Sequence, residues 1–195
     1  MVLTTALLQR PAFNPKADPA VNYGGIGAIL GHELTHGFDD VGRRFDAQGR
    51  LRDWWTIEDA KGFDARASRL GAQFSACEPL PGLHVNGQLT MGENIADLGG
   101  LVLALDAYHS SLHGKPAPVL DGLNGDQRFF LGFAQVRRGK QRPEAVRQAV
   151  ATDPHTPDEC RVNCEVRNID RWYDAFDVEP AQKLYLAPND RVHIW

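Results

Sequence analysis

The five residues from His32 to His36 read HELTH and constrain this 195-residue chain more than any other feature. Histidines four positions apart lie on one face of an α-helix, with Cβ atoms about 5–6 Å apart. Both imidazoles can then bind one ion at about 2.0–2.1 Å, the distance typical of zinc. Glu33 lies about 100° around the helix, so its carboxylate can act on a water at the ion without binding the metal. The motif therefore predicts a zinc-binding helix, and a helix with two surface histidines is the alternative.

The residues around the motif have the spacing of a half-buried helix. We predict one helix over residues 21–38, with an apolar stripe formed by Ile26, Ile29, Leu30 and Leu34. Glycine costs up to about 1 kcal/mol in a helix relative to alanine, yet the segment contains Gly24, Gly25, Gly27 and Gly31. Such a cluster favours close approach by another backbone or by a substrate. A kinked or frayed helix start is the alternative.

A catalytic zinc site needs a third protein ligand and an open position for water. Glu93 is our candidate, because it shares one face of a predicted helix over residues 92–112 with Asp97, and the other side of that helix is apolar. Glu93 would bind the ion, and Asp97 would hold the outer nitrogen of a ligand histidine. Glu58 is a weaker candidate in the first turn of a polar helix. An exposed acidic helix start is the other interpretation of Glu93 and Asp97.

Two further carboxylates follow the second histidine closely. Asp39 and Asp40 stand three and four residues after His36, so one of them can reach back to its ring and fix its orientation. Asp39 is the residue we assign to this role. A solvated helix end is the alternative interpretation of the pair.

Several segments together resemble the neprilysin and endothelin-converting-enzyme family of zinc peptidases. They are VNYGGIGAILGHELTHGFDD, DWW, NGQLTMGENIADLGGL, FFLGFAQV and TDPHTPDECR, in that order along the chain. Their order and rough spacing match the family from about Leu8 to Trp195. The resemblance rests on the combination, because an isolated HExxH motif would be far less specific.

The resemblance implies a role for each residue of the site. The implied ligands of one zinc ion are His32, His36 and Glu93. The implied catalytic residues are Glu33 as the general base, Asp97 as the carboxylate paired with a ligand histidine, and His155 as the group that stabilises the oxyanion. Asp153 would support the ring of His155, in the same way that Asp39 would support the ring of the zinc ligand His36.

The resemblance also implies where a substrate binds. Arg161 would grip a backbone carbonyl or a terminal carboxylate of the substrate. Ile29 and Val136 would line a pocket on the primed side of the scissile bond, which in this family favours bulky apolar residues. Ala28 and Arg137 depart from the family pattern, since a larger residue and an aromatic residue are common there.

We expect a mainly α fold, namely a thermolysin-like (gluzincin) catalytic domain with a small β-hairpin or short strands. The hydrophobic pattern predicts helices over 21–38, 56–76, 92–112, 125–138, 143–150 and 168–177, and a short hairpin within 43–54. Residues 1–195 are long enough for a single domain with its own core. The resemblance implies that they form the carboxy-terminal catalytic part of a longer peptidase, without its amino-terminal lid domain.

The predicted function is zinc-dependent endopeptidase action on oligopeptides. The alternatives are a truncated zinc-binding fragment with little or no turnover, and an aminopeptidase-type gluzincin. The net charge of −4, with both signs interspersed, favours neither a nucleic-acid nor a membrane partner. We expect a soluble chain without a signal or transmembrane segment, in a compartment that the sequence leaves open. Peptide substrates are the expected partners, together with self-association through the surface that a lid would cover.

The three cysteines leave two interpretations open. In the first interpretation Cys160 and Cys164, four positions apart, form a disulfide across a bend around Glu165, which leaves Cys77 free. In the second interpretation all three are small buried residues with free thiols.

Overall fold

The computed structural model describes residues 3–195, and the chain is mainly helical, as predicted. In chain order the α-helices of this part are α1 (Pro19–Asn22), α2 (Ala28–Thr35), α3 (Ile57–Ser75), α4 (Met91–Ser111), α5 (Gly125–Val136), α6 (Pro143–Thr152), α7 (Asp158–Val166) and α8 (Asp170–Phe176). All six predicted helical segments are confirmed, and α7 is an addition to them.

The segment that carries the HExxH motif is helical throughout but not α-helical throughout. One π-helical turn over Tyr23–Gly27 joins α1 to α2, and a 3₁₀ turn over His36–Phe38 follows. Gly24 lies against the carbonyl group of Phe129, where no side chain would fit. The glycine cluster therefore reflects both a close backbone approach and an irregular helix start. The prediction that Leu34 belongs to the apolar stripe is wrong, because this side chain is 57% exposed.

Helix α2 crosses α4 in backbone contact at two glycines. A Cβ atom on Gly31 would lie 2.5 Å from the carbonyl oxygen of Gly100. A Cβ atom on Gly100 would collide in turn with the backbone nitrogen of His32. This contact brings His32 beside the first turns of α4, which carry Glu93 and Asp97.

Most of the buried apolar residues form one contiguous cluster around α4. Ile95 and Leu101 of α4 are fully buried, as are Leu70 of α3 and Phe129 of α5. The core therefore holds α4 on several sides, and the acidic first turns of that helix are fixed relative to α2.

Local sequence signals explain where two of the helices begin. Thr56 is the N-cap of α3, and its Oγ1 accepts a hydrogen bond of 3.1 Å from the backbone nitrogen of Asp59. Helix α5 begins with a reciprocal capping box between Asn124 and Gln127.

The predicted hairpin within residues 43–54 is present as a tight turn closed by a single β-bridge. Phe45 and Leu51 form one antiparallel bridge, and the backbone nitrogen of Asp46 donates to the carbonyl oxygen of Arg50 at 3.0 Å. Gly49 has a φ of +72° in the turn, a conformation that glycine adopts at little cost.

A disulfide joins Cys77, just after α3, to Cys160 in α7, and Cys164 is a free buried cysteine. Neither of the two interpretations left open by the sequence is correct. The 83-residue separation is long, so the bond fixes the start of α7 to an element distant in sequence.

We expect the Cys77→Ser variant to lose about 2–4 kcal/mol of unfolding free energy, because an open chain loses more entropy on folding than a cross-linked one. Urea denaturation with and without a reducing agent measures the effect. Reduction should destabilise the parent chain and leave the variant unchanged. Equal sensitivity of both proteins to reduction would show that this disulfide does not form.

The surface beside the HExxH helix exposes several large apolar side chains. Phe38, Trp54 and Trp195 line one groove of about 510 Å³, and each is about half exposed. Exposed aromatic area of this kind is consistent with the expected self-association, which stays a prediction. Among residues 3–195, no helix combines the length and apolarity that crossing a bilayer requires.

Candidate metal centre

Three side chains from α2, its 3₁₀ extension and α4 converge on one point. The Nε2 atoms of His32 and His36 are 3.0 Å apart. Glu93 Oε2 lies 3.3 Å from His32 Nε2, and Glu93 Oε1 lies 3.7 Å from His36 Nε2. Ligand atoms placed about 2.1 Å from a tetrahedral zinc ion are about 3.4 Å apart, so these three spacings fit such an ion.

The hydrogen bonds behind the histidines decide which ring atoms face this point. His32 Nδ1 lies 2.8 Å from Asp97 Oδ1, and His36 Nδ1 lies 2.7 Å from Asp39 Oδ2. A carboxylate only accepts hydrogen bonds, so each Nδ1 carries a proton, and in the neutral form of each ring the Nε2 lone pair is directed inward. Glu93 Oε2 is buried and faces His32 Nε2 at 3.3 Å. Three converging acceptor atoms repel one another unless a cation or protons lie between them, and this donor set suits zinc.

The same carboxylates control the protonation of the three candidate ligands. Burial lowers the pKa of His32, but its hydrogen bonds with Asp97 and Glu93 outweigh burial and raise that pKa to about 9. The hydrogen bond with Asp39 raises the pKa of His36. Burial raises the pKa of Glu93, yet the hydrogen bond with His32 and nearby histidine charge keep it below its usual value. A metal ion and a proton compete for the same Nε2 lone pairs.

Asp97 is the centre of a buried cluster of charges. Its Oδ1 accepts from His32 Nδ1 and lies 2.5 Å from Arg137 Nη2. Arg161 donates to both oxygens, with Nε 2.5 Å from Oδ2 and Nη2 2.8 Å from Oδ1. Burial raises the pKa of Asp97, but the charge of Arg137 and the contacts with His32 and Arg161 hold that pKa far below its usual range. Asp97 is therefore ionised when the protein is folded.

His155 reaches the centre from the loop before α7. Its Nε2 lies 3.1 Å from Glu93 Oε2, and its Nδ1 lies 2.9 Å from Asp153 Oδ1. The backbone nitrogen of His155 also donates to Asp153 Oδ1 at 2.8 Å. The ring is half exposed, so it remains accessible at the open side of the centre.

Comparison with known proteins identifies the family of the chain. The family model described as "Peptidase family M13" matches residues 1–192. The chain belongs to peptidase family M13. It is 42% identical to Neprilysin-1 of Caenorhabditis elegans and 39% identical to human neprilysin, over 97% and 100% of its own length. The resemblance to the neprilysin and endothelin-converting-enzyme family is thus confirmed.

Solved structures of the family agree with the fold. The crystal structure of Mycobacterium tuberculosis zinc metalloprotease Zmp1 in complex with inhibitor superposes with a TM-score of 0.96 at 52% identity. That superposition covers 98% of this M13 chain and 30% of the mycobacterial chain. The chain spans 26% of the length of each of the two neprilysins. The predicted gluzincin-type fold is confirmed.

The remaining predicted site residues of this M13 chain differ in exposure and in their contacts. Glu33 is exposed on α2, directly after the first histidine. Ile29 on α2 and Val136 at the end of α5 are half buried. Arg161 is less available than the resemblance implies, because its guanidinium is already paired with Asp97. The roles assigned to these residues stay predictions.

Two residues of the cluster were not predicted from the sequence. Arg137 was noted only as a departure from the family pattern, although its guanidinium pairs with Asp97. Glu165 is fully buried on α7, and neither of its carboxyl oxygens has a hydrogen-bond partner. The sequence contained one signal that could have located Glu165. Pro157 followed by two acids is a typical helix start, so it predicts the helix that carries Glu165.

Proposed function

We propose that this M13 chain carries the catalytic centre of a zinc-dependent endopeptidase that hydrolyses oligopeptides, with one zinc ion held by His32, His36 and Glu93. The observation that carries the proposal is the convergence of three acceptor atoms, one of them from His32, which precedes Glu33 on α2. The names of its relatives, neprilysin and zinc metalloprotease, support the same class. Because the chain spans only part of those relatives, the activity is a proposal for this piece.

A bound zinc ion would polarise the scissile carbonyl and lower the pKa of a water beside it towards about 7. Glu33 then acts as the general base. Its carboxylate accepts a proton from the attacking water and returns it to the nitrogen of the leaving amine. The exposed position of Glu33 suits this role, because substrate and water must both reach the carboxylate.

The loop before α7 supplies the second catalytic group. Asp153 holds His155 through both its backbone nitrogen and its Nδ1. Both ring nitrogens of His155 donate when the ring is an imidazolium. In that form its Nε2–H could turn from Glu93 to the negatively charged oxygen of the tetrahedral intermediate. Arg161 has donors beyond those used by Asp97, and one of them would bind a substrate carbonyl oxygen.

Two assays on the purified chain test the proposal. Elemental analysis should give about one zinc per chain, which a chelator removes and added zinc restores. A peptide blocked at both ends should be cut at an internal bond by the zinc-loaded chain only. Zinc without cleavage would favour the zinc-binding fragment. Cleavage confined to peptides with a free amino terminus would favour the aminopeptidase.

We expect the His155→Ala variant to keep its zinc and lose about 10²–10³-fold in turnover, because one donor to the oxyanion is removed. Steady-state kinetics with the blocked peptide and elemental analysis of the same sample measure both properties. The matched control is His84→Ala, since His84 is exposed in the loop between α3 and α4. Equal turnover in the two variants would remove His155 from the mechanism.

A further inference from the structure

A loop over residues 153–157, between α6 and α7, carries His155 to the candidate metal centre. The His155 ring contacts Glu93 and Asp153. The side chains of His155 and Asp153 are both 47% exposed. Asp153 belongs to the same loop, so its bonds to His155 do not attach that loop to the rest of the protein. A half-exposed ring on such a loop needs a further contact to hold it at the centre.

The next residue of the loop, Thr156, supplies a buried contact. Thr156 is 2% exposed, and its Oγ1 donates a hydrogen bond of 2.9 Å to Asn94 Oδ1 on α4. Asn94 is fully buried and directly follows the candidate ligand Glu93. This hydrogen bond therefore lies one residue further along both segments than the contact between His155 and Glu93. The two contacts join the same stretch of loop to the same turn of α4.

The hydrogen bonds around Asn94 decide which of its amide atoms faces the loop. Asn94 Nδ2 donates to Thr90 Oγ1 at 2.8 Å, and Thr90 Oγ1 donates to the carbonyl oxygen of Asn86 at 3.2 Å. A hydroxyl group has one proton, so Thr90 can only accept from Asn94, and the amide NH₂ must face it. Asn94 Oδ1 then faces Thr156, whose hydroxyl must be the donor. Without that hydroxyl, a buried carbonyl oxygen would lose its partner, which destabilises this arrangement.

We propose that Thr156 and Asn94 are positioning residues for His155. Their buried hydrogen bond holds the loop at the distance from α4 that places the His155 ring beside Glu93. The inference rests on the proposed function, in which His155 donates to the oxyanion. Such a donor acts only where the charge develops, and a displacement of about 1 Å can cost about 10²-fold in rate. Without the hydrogen bond, the imidazole is still present but is no longer held at that position.

Two other roles for this hydrogen bond differ in what its loss would change. A bond that only stabilises the fold would lower the free energy of unfolding and leave the kinetic constants of the folded chain unchanged. A bond that positions Glu93 would support zinc binding, so its loss would release the metal. A bond that positions His155 sets kcat, leaves KM and zinc content near those of the parent chain, and has no effect once the imidazole is absent.

The first test compares Thr156→Val, which keeps the shape of threonine without its hydroxyl, with Thr156→Ser, which keeps the hydroxyl. We expect kcat of the zinc-loaded Thr156→Val chain for the blocked peptide to fall about 10–100-fold. KM should stay within about twofold, since ground-state binding is unaffected, and zinc content should not change. Thr156→Ser should restore most of kcat. Thr152→Val is the matched control, because the Thr152 hydroxyl is exposed and bonds only within α6, to the carbonyl oxygen of Gln148.

A cycle with His155→Ala separates positioning of His155 from a general structural effect. In the His155→Ala background, the further change Thr156→Val should alter kcat by less than about twofold, because the group that it positions is gone. Losses that multiply in the double variant overturn the inference. Zinc loss in Thr156→Val, or a kcat equal to that of the parent chain, overturns it as well.

Hydrogen exchange of the zinc-free chain gives a measurement that does not depend on catalysis. The backbone amides of His155 and Thr156 should exchange at least about tenfold faster in Thr156→Val, because the buried bond that closes the loop is lost. In Thr156→Ser they should exchange at close to the rate of the parent chain. Unchanged exchange in Thr156→Val overturns the inference.

A zinc-loaded parent chain that cuts no peptide overturns the peptidase proposal instead, and the exchange experiment then decides whether Thr156 holds the loop. If Thr156→Val does not fold, Thr156→Ala removes the same hydroxyl from a smaller side chain and is judged by the same outcomes.

Discussion

We expect the Glu33→Gln variant to bind zinc like the parent chain and to lose about 10²–10⁴-fold in peptide hydrolysis. Glutamine keeps the shape of the side chain, but it cannot take the proton from the attacking water. Glu33 lies outside the set of three converging ligand atoms, so its replacement should not weaken the metal site. Single-turnover kinetics with the blocked peptide and elemental analysis of the same preparation measure both properties.

Glu144→Gln is the matched control for this experiment. Glu144 is an exposed glutamate in the first turn of α6, and its substitution should change neither zinc content nor turnover. A Glu33→Gln variant that loses its zinc would show that Glu33 supports the metal site. A variant that keeps full turnover would require another general base.

Local sequence patterns predicted the elements that carry the candidate ligands. The four-residue spacing of His32 and His36 depends only on helix geometry, and so does the spacing of Glu93 and Asp97. The meeting of these two pairs depends on the crossing of α2 and α4. The glycines of the sequence favoured a close approach of two backbones without identifying the partner. In the structure the two helices touch at Gly31 and Gly100.

Contacts between residues distant in sequence were not predictable in the same way. Cys160 was compared only with Cys164, one turn away, whereas the disulfide joins it to Cys77 across 83 residues. Helix α7 was not predicted, although Pro157 followed by two acids is a typical helix start. Without that helix, nothing in the sequence placed Glu165 beside the charged cluster.

The resemblance assigned roles to single residues and did not show how they share partners. Arg161 was expected to bind substrate, yet it also holds Asp97. Arg137 contacts the same carboxylate from another helix end. The contacts of long flexible side chains depend on packing and charge balance in the folded protein. The hydrophobic periodicity of the sequence does not predict them.

Replacement of Asp97 should have the largest effect on stability of any single substitution at the centre. Asp97→Ala leaves His32 without its Nδ1 partner and leaves the buried guanidiniums of Arg137 and Arg161 without their shared carboxylate. Removal of one member of a buried ion pair costs about 3–5 kcal/mol, because the remaining charge is uncompensated. Loss of the carboxylate behind a metal-binding histidine weakens metal affinity by about 10–100-fold. We therefore expect both the free energy of unfolding and the zinc affinity to fall.

Urea denaturation of the metal-free chain and competition with a chelator separate these two effects. Asp106→Ala is the matched control, because Asp106 lies on the same helix with its side chain exposed, and its substitution should change stability by less than about 0.5 kcal/mol. Asp97→Asn keeps the size of the side chain and one acceptor oxygen but loses the charge, so it should be intermediate in both measurements. If Asp97→Ala were as stable as Asp106→Ala, the two guanidiniums would have to find other partners or reach water. The charged cluster would then be a flexible arrangement, and Asp97 would not be needed to hold Arg137 and Arg161 in place.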